Sequence, residues 1–116
     1  MPKTKVYVAG PITLGDPINN VRKAVDAAQV LLQQGYLPFV PQLSSIVWHL
    51  IYPNDYETWL EYDLGWVAFC DCLLRLEGES KGADREVALA RELNKPIYFD
   101  ILDLVEGVPR ESAECS

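Results

Sequence analysis

One glutamate has a position in the sequence that suits chemistry on a small molecule. Glu86 follows an apolar run, which we predict to be a strand, and we expect it in the opening turn of the next helix. The amino end of a helix stabilises an ionised carboxylate by about 0.3–1 kcal/mol, so this position predicts a low pKa. A low pKa suits a nucleophile or an electrostatic stabiliser better than a general acid. Because acidic first turns are common, the sequence leaves open that Glu86 only complements the helix dipole.

Asp63 is the second carboxylate of interest. It lies in the middle of a predicted helix, one turn after Trp59 and about one turn before Trp66. Positions four residues apart share a helix face, so Asp63 is expected on a face that is otherwise apolar. Aspartate is a mediocre helix former and is seldom buried without a partner. The sequence therefore allows a functional carboxylate, a solvated helix residue, or an ion pair for which Arg75 is the candidate partner.

Two loops contain residue types that hold anions. Residues Ser80 to Gly82 precede a predicted helix, where a hydroxyl, a glycine and free backbone N–H groups can form an anion site. The segment from Gly10 to Asp16, before the first long helix, offers a second set of donors. Neither loop matches the Walker pattern or G-x-G-x-x-G, so both are also compatible with ordinary turns.

Aromatic residues are concentrated in the middle of the sequence. Such side chains can stack on nucleic-acid bases, but more often they form core. We assign Trp66 to the core and leave Trp48, Tyr52 and Trp59 open as walls of a base pocket. His49 is the only histidine, which argues strongly against a Ser-His-Asp system or a histidine metal cluster.

The predicted elements alternate between strands and helices. The strands are residues 5–9, 37–40, 72–76 and 97–101, and the helices are residues 19–34, 54–69 and 83–93. Residues 41–55 are the least regular stretch, with room for a short helix. Pro38 favours an edge position for its strand, because proline cannot donate to a ladder. Asn54 and Glu57 resemble a capping box, and the polar tail after Glu106 is expected to fray.

This alternation predicts one α/β domain spanning residues 1–116. Strands that alternate with helices form a parallel sheet with helices on both faces. We therefore expect a three-layer, Rossmann- or flavodoxin-like sandwich with a mainly parallel sheet of four or five strands. Ligands of such sheets bind outside the carboxyl ends of the strands. The segments of interest are therefore residues 10–16, 41–55 and 77–86.

Composition argues against several functional classes. The net charge of −7 disfavours a nucleic-acid polymer as partner, although a single nucleotide needs only a few local donors. The cysteines, Cys70, Cys72 and Cys115, lack zinc-binding spacing and are expected to be reduced. No apolar run approaches the ~20 residues of a membrane span, and no signal peptide is evident. We therefore expect a cytoplasmic protein with no membrane partner.

Four strings, taken in order, resemble a known family. They are residues Tyr7 to Ile12, Asp63 to Asp71, Ser80 to Ala90, and Asn94 to Ile97. The set resembles the nucleoside 2-deoxyribosyltransferase-like superfamily, closest to its small uncharacterised members and to the deoxynucleoside 5′-monophosphate N-glycosidases. The resemblance extends from about Lys5 to Phe99. It implies an enzyme that breaks the N-glycosidic bond of a nucleoside or nucleotide, without a metal or organic cofactor.

The resemblance also implies roles for individual residues. Glu86 falls on the family's nucleophile, which attacks C1′ of the sugar. Asp63 falls on the aspartate that assists beside the sugar, and Ser80 falls where the family contacts the 5′ end. The expected substrate-binding residues are Tyr7, Gly10, Pro11, Ile12, Trp48, Trp59, Ser80 and Gly82.

The residue at position 80 bears on the substrate. In the family, transferases that act on free nucleosides are expected to carry a carboxylate there, whereas the monophosphate hydrolases carry serine. A carboxylate would repel phosphate, and a serine with backbone donors would hold it, so Ser80 and Lys81 favour a 5′-monophosphate. Thr13 counts against it, since it stands near the place where the hydrolases carry an arginine.

The implied reaction parallels that of a retaining glycosidase. Glu86 forms a glycosyl-enzyme, and the base leaves with a proton from Asp63 or from solvent. Water or a second base then accepts the sugar, and the sequence leaves this choice open. Because sites of this family often include residues from a neighbouring subunit, a homo-oligomer is expected.

Two other functional classes remain open at this stage. One is a nucleotide-binding module without catalysis, since the same fold can host different functions. The other is a structural or interaction protein in which Asp63 and Arg75 form a buried pair.

Overall fold

Short parallel strands form the centre of the molecule. The computed structural model describes residues 3–12 and 14–106, and the predicted tail after Glu106 lies outside these ranges. In this part of the chain the strands are β1 (Lys5–Ala9), β2 (Leu37–Phe39), β3 (Cys72–Arg75) and β4 (Ile97–Tyr98). They pair in parallel in the order β2-β1-β3-β4. The predicted α/β fold with a parallel sheet is confirmed, as is the edge position of the strand that contains Pro38.

Helices connect the strands and cover the sheet. They are α1 (Pro17–Gln33), α2 (Pro41–Ile51), α3 (Tyr56–Phe69), α4 (Lys81–Glu92) and α5 (Ile101–Glu106). None of the helices in the described ranges is long and apolar enough to cross a membrane.

The two faces of β1 separate two core clusters. Successive side chains of a strand point to opposite faces, and Val6 and Val8 pack with Ala24 and other residues of α1 and α5. Tyr7 points to the other face, where the core is formed with α3 and α4. The result is a three-layer sandwich in which Tyr7 faces α4.

Helix α2 occupies most of the stretch that we predicted to be the least regular, with room for a short helix. Proline at the first helical position is preorganised for the helix, and α2 begins at Pro41. The Pro41 carbonyl accepts a hydrogen bond from Ser45 Oγ at 2.8 Å. The helix places residue 42 at the carboxyl edge of the sheet, directly after β2.

The start of α3 and the end of the fourth strand differ from the prediction. Asp55, rather than Asn54, caps α3, because its Oδ1 accepts from the Thr58 N–H at 2.8 Å. The fourth strand ends at Tyr98 rather than at residue 101. Asp100 Oδ1 accepts from the Leu102 N–H at 2.8 Å, which starts α5 where we expected the strand to continue.

Helix α4 begins two residues earlier than predicted. Ser80 Oγ accepts from the Ala83 N–H at 3.1 Å, so Ser80 is the N-cap and Lys81 the first helical residue. Glu86 therefore lies in the second turn of α4, and its predicted place in the opening turn is wrong.

Candidate active site

A buried hydrogen bond joins the central strand to α4. Tyr7 Oη donates to Glu86 Oε2 at 2.8 Å, and the exposed fractions are 0% for Tyr7 and 5% for Glu86. Glu86 is buried because it belongs to the core-facing stripe of α4, which consists of Ala83, Glu86, Val87 and Ala90. The Glu86 side chain lies on this otherwise apolar stripe, and the hydrogen bond that the structure describes for its carboxyl comes from Tyr7 of the sheet.

Asp63 lies on the core-facing side of α3, as Glu86 does on that of α4. It is 4% exposed and lies on a buried face between Leu60 and Val67. Within the described residues, its Oδ1 is buried and accepts no hydrogen bond. Buried polar atoms are nearly always hydrogen-bonded in folded proteins, so this oxygen is a candidate acceptor or donor site for a ligand.

Arg75 does not pair with Asp63. Its guanidinium donates instead to Asp84 Oδ1, at 3.0 Å, and to backbone carbonyls of the following loop. The Asp63–Arg75 pair that the sequence left open is therefore wrong. The side chain of Arg75 points to the β3–α4 loop and the first turn of α4, and Asp63 is left without a cation in the described structure.

Burial raises the pKa of both carboxyls. It raises the pKa of Asp63 to about 7 and that of Glu86 to about 8. For Glu86, the hydrogen bond from Tyr7 and the charge of Arg75 lower the pKa, and the charge of Asp63 raises it, but burial has the largest effect. The predicted low pKa of Glu86 is wrong. The helix dipole acts mainly within the first turn, and the apolar surroundings disfavour the charged form.

Two carboxyls with such pKa values can share one proton near neutral pH. When two acids interact, the protons leave in steps that belong to the pair. One group can then be an ionised nucleophile while the other is a proton donor. The pKa of Tyr7 is raised well above its usual value, first by burial and then by Glu86, so the phenol stays a hydrogen-bond donor.

The loops at the carboxyl edge of the sheet pack closely on each other. A Cβ atom on Gly10 would lie 3.2 Å from Leu76 Cβ. Gly78 has a φ of +118°, and a Cβ there would lie 2.6 Å from Pro11 Cγ. Ile12 contributes a carbonyl that accepts from Asn20 Nδ2 at 3.3 Å. The loop after β1, called here the first loop (residues 10–12 and 14–16), therefore packs against the β3–α4 loop (residues 76–80). Together the two loops form a continuous rim beside the carboxyl ends of β1 and β3.

Gln42 belongs to this rim and was missed by the sequence analysis. It is buried in the first turn of α2, and its Nε2 donates to the Pro11 carbonyl at 3.5 Å. Its Oε1 is buried and accepts no hydrogen bond within the described residues. The only signal in the sequence was a glutamine directly after a strand and a proline. That signal does not show that Gln42 is buried, because burial depends on how α2 packs against the first loop.

Ser80 and Gly82 lie at the amino end of α4. The Ser80 hydroxyl accepts from the backbone of α4, which leaves its own proton free to be donated. A Cβ on Gly82 would have Tyr56 Oη as its nearest neighbour, at 3.6 Å. This part of the site combines hydroxyls with the free N–H groups of a helix terminus.

Trp48 and Trp59 form a separate aromatic cluster. Trp59 Nε1 donates to His49 Nδ1 at 2.9 Å, and the Trp48 ring lies edge-on to Trp59 with centroids 5.3 Å apart. Between Trp59 and Tyr7, successive ring contacts pass through Tyr62, Trp66 and Phe39. Within one chain, the structure thus brings together Tyr7, Asp63 and Glu86. Trp59 lies one turn before Asp63 on α3, and its ring contacts Trp48 and His49.

A cavity of about 430 Å³ opens between the first loop and the β3–α4 loop. It is lined by Pro11, Leu14, Gly15, Asp16, Asn19, Asn20, Lys23, Glu77, Gly78 and Glu79. Neither Asp63 nor Glu86 lines it. Since three carboxylates and one ammonium group surround this cavity, it suits an anion poorly.

The described cysteines are inert thiols. Cys70 and Cys72 are free and buried, and burial raises their pKa values to about 11 and about 12. A protonated thiol is a poor nucleophile and metal ligand. Cys115 lies outside the described residues. Within those residues, no group of three His, Cys, Asp or Glu side chains is arranged to hold a metal ion.

The chain has the flavodoxin-like fold of the nucleoside 2-deoxyribosyltransferases. A 2-deoxyribosyltransferase from the psychrotolerant bacterium Bacillus psychrosaccharolyticus is similar with a TM-score of 0.66 and 21% identity, over 82% of this chain and 70% of that one. For a conserved protein from Enterococcus faecalis V583, the TM-score is 0.70 and the identity 20%, over 85% of this chain and 65% of that one. For a 2-desoxiribosyltransferase from Leishmania mexicana, the values are 0.63 and 17%, over 84% and 63%. This chain therefore spans about two thirds of the length of these structures and shares their fold.

The family follows from the sequence itself. A family model described as "Domain of unknown function (DUF4406)" matches residues 4–99. The chain belongs to this family, which is part of the nucleoside 2-deoxyribosyltransferase-like superfamily, and the predicted resemblance is confirmed. No curated protein matches the sequence.

Proposed function

We propose that this protein cleaves the N-glycosidic bond of a (deoxy)nucleoside or a nucleoside 5′-monophosphate. The observation that carries the proposal is the buried Glu86 carboxyl, held by Tyr7 and accompanied by the buried carboxyl of Asp63, on the face of the parallel sheet that α3 and α4 cover. A pair of carboxyls is the set of groups that cleavage through an oxocarbenium-like transition state requires. The shared fold with two 2-deoxyribosyltransferases supports the substrate class.

In the first step, an ionised oxygen of Glu86 attacks C1′ of the sugar. The bond between that oxygen and C1′ forms while the C1′–N bond to the base breaks, and the base takes a proton from Asp63. The Tyr7 hydroxyl holds Glu86 Oε2 and so restricts the rotamer of the nucleophile. The product is a glycosyl-enzyme and a free base.

In the second step, an acceptor releases the sugar from Glu86. Water gives a hydrolase, and a second base gives a transferase. Asp63, now ionised, takes a proton from the acceptor as the C1′–O bond to Glu86 breaks. The chemistry needs no metal ion or organic cofactor.

The rim residues supply the proposed substrate contacts. The hydroxyl of Ser80, the backbone at Gly82 and the nearby ammonium group of Lys81 are donors for the 5′ end of the sugar or its phosphate. Gly10, Pro11 and Ile12 line the sugar, and Gln42 Oε1 accepts from a donor on the substrate. Trp48 and Trp59 lie at the end of the series of ring contacts that is farthest from Tyr7, and a base would stack on them only there.

The test is to incubate the protein with a panel of nucleosides and 5′-monophosphates, with and without a second free base. Free base plus sugar or sugar phosphate identifies a hydrolase, and an exchanged base identifies a transferase. Glu86→Ala should abolish product formation, and Glu86→Gln should do so with less change in packing. Binding without any base release would instead support a nucleotide-binding module. Near-normal activity of Glu86→Gln would exclude Glu86 as the nucleophile.

We also propose that the protein is a cytoplasmic homo-oligomer built from a single domain. Helix α2 contains no charged side chain and exposes a stripe formed by Leu43, Val47, Leu50 and Ile51. Beside it, Ile18, Val21, Val25 and Ile46 line an apolar groove that carries Arg22 and Asp26. One charge of each sign suits a two-fold contact, because Arg22 of each subunit can pair with Asp26 of the other. Sedimentation of Val47→Lys, with Ala88→Lys on the exposed face of α4 as control, tests this: only Val47→Lys should dissociate the oligomer.

A further inference from the structure

Arg75 connects three segments at the carboxyl edge of the sheet. It ends β3, and its side chain is only 10% exposed. The guanidinium donates to the Leu76 carbonyl, to the Gly78 carbonyl at 3.0 Å and to Asp84 Oδ1 at 3.0 Å. Leu76 and Gly78 belong to the β3–α4 loop, and Asp84 belongs to the first turn of α4, so the side chain joins the end of β3 to both.

The contact with Gly78 extends beyond its own loop. Gly78 has a positive φ and packs so closely on Pro11 that a Cβ would not fit. The Pro11 carbonyl in turn accepts from Gln42 in α2. Because these groups are packed in series, the guanidinium that holds the Gly78 carbonyl also restrains the first loop.

The contact with Asp84 is made in the helix that carries Glu86. Asp84 lies in the first turn of α4, two residues before Glu86, and is itself 71% exposed. An exposed carboxylate adds little stability, but it fixes where the guanidinium lies relative to α4. The positive charge of Arg75 favours the ionised form of Glu86, against the larger and opposite effect of burial.

We propose that Arg75 is the positioning residue of this site. Its guanidinium holds the β3–α4 loop and the first turn of α4 in the arrangement that presents Glu86 to C1′ and the Ser80 region to the 5′ end of the substrate. This inference rests on the proposed function. Arginine suits the role because its planar fork of five N–H donors serves several acceptors at once, whereas a lysine ammonium is a compact point charge.

Two substitutions separate the charge of Arg75 from its hydrogen bonds. Arg75→Met removes both, and Arg75→Lys retains the charge but cannot serve all three acceptors. Arg85→Met is the matched control, because Arg85 lies beside Glu86 in sequence and makes an exposed ion pair with Glu57. Asp84→Asn removes the negative charge of the ion pair but keeps an Oδ1 that can accept the hydrogen bond from Arg75.

Kinetics with an active substrate give the first readout. For Arg75→Met we expect kcat/KM to fall by about a hundredfold, the loss that follows a misplacement of about 1 Å. Its pH–rate profile should also move to higher pH. Arg75→Lys should raise KM while leaving the pH profile in place. Arg85→Met and Asp84→Asn should change kcat/KM less than about fivefold, as is usual for exposed ion pairs.

Amide hydrogen exchange and carboxyl NMR give readouts that do not depend on activity. In Arg75→Met, the amides of residues 78–80 should exchange faster while those of Val6 and Val8 stay protected, and the pKa of a 13C-labelled Glu86 carboxyl should rise. If the wild type cleaves no member of the panel, the proposed function fails, and these two readouts still decide the role of Arg75. A variant that only loses thermal stability, with unchanged pH profile, KM and loop exchange, would overturn the inference. If Arg75→Met does not fold, the contrast between Arg75→Lys and Asp84→Asn decides.

Discussion

At the residue scale, Asp63 and Glu86 are acids placed on the core-facing sides of adjacent helices. Each occupies a helical position that would otherwise hold an apolar side chain. Desolvation opposes their ionisation more strongly than nearby donors favour it, which raises both pKa values. The form of the pair that suits the proposed reaction carries a single proton.

The pH dependence of activity follows from this single proton. We expect kcat/KM to pass through a maximum between about pH 7 and about pH 8, the pKa values of Asp63 and Glu86. Below this range both carboxyls are protonated and Glu86 cannot attack, and above it both are ionised and the base receives no proton. Within the range the single proton lies mainly on Glu86, whose pKa is the higher, so the reactive form, with Glu86 ionised and Asp63 protonated, is the minor one but has its maximum there. A rate that rises steadily to pH 10 would contradict a proton donor in the pair. Asp63→Asn should abolish the descending limb.

Tyr7 is expected to act on Glu86 through its hydrogen bond. Tyr7→Phe removes a donor that favours the ionised carboxylate, so the ascending limb should move to higher pH. A hydrogen bond to a charged group contributes about 1.5–3 kcal/mol, so kcat/KM should fall by about tenfold to a hundredfold. The folding of this variant is checked by thermal denaturation, and a shift of the ascending limb to lower pH would be inconsistent with the geometry.

At the element scale, His49 connects the end of α2 to the start of α3. Its Nδ1 accepts from the Asn54 N–H at 3.1 Å and from Trp59 Nε1 at 2.9 Å. Both hydrogen bonds use Nδ1 as the acceptor, so one atom of His49 joins the two elements. The role of His49 in the described structure is therefore to hold the α2–α3 junction.

Substitution of His49 tests this connection. His49→Leu removes the acceptor for two donors, and each lost hydrogen bond costs about 1 kcal/mol. We therefore expect Tm to fall by several degrees. His49→Asn is the matched control, because its Oδ1 occupies about the same position as Nδ1 and should retain most of the stability. Equal Tm values for the two variants would show that the hydrogen bonds do not matter.

At the scale of the whole molecule, the buried acids make stability depend on pH. Between about pH 4 and pH 8 the folded chain keeps protons on Asp63 and Glu86 that the unfolded chain releases. Stability then falls as the pH rises, by at most about 1.4 kcal/mol per pH unit for each group. Above the folded pKa values both states are ionised and the decline ends.

Thermal denaturation between pH 5 and pH 8 measures this effect. The wild type should have a higher Tm at pH 5.5 than at pH 8. In the double variant Asp63→Asn, Glu86→Gln, the two amides do not titrate, so the difference should largely disappear. A wild-type Tm that rises over the same range would mean that the two carboxyls are not desolvated in the folded state.

The sequence by itself determined the succession of the four strands and of helices α1, α3 and α4 along the chain, the parallel sheet and the edge position of the strand with Pro38. It also singled out Glu86 and Asp63. These features depend on short-range patterns: apolar runs with β-branched residues form strands, and spacing of three to four residues forms helix faces. Element ends were less predictable, because the cap of α3 moved by one residue when Asp55 rather than Asn54 met the free N–H groups.

Tertiary structure decided how the candidate site behaves. Tyr7 and Glu86 are 79 residues apart, and no local pattern indicates that they share a hydrogen bond. Arg75 binds Asp84 rather than Asp63 because β3 directs its side chain toward α4. The raised pKa of Glu86 results from burial among residues of other elements, which outweighs the helix terminus that its sequence position suggested. Pairing, desolvation and charge depend on which groups become neighbours in space, and packing of distant segments decides this.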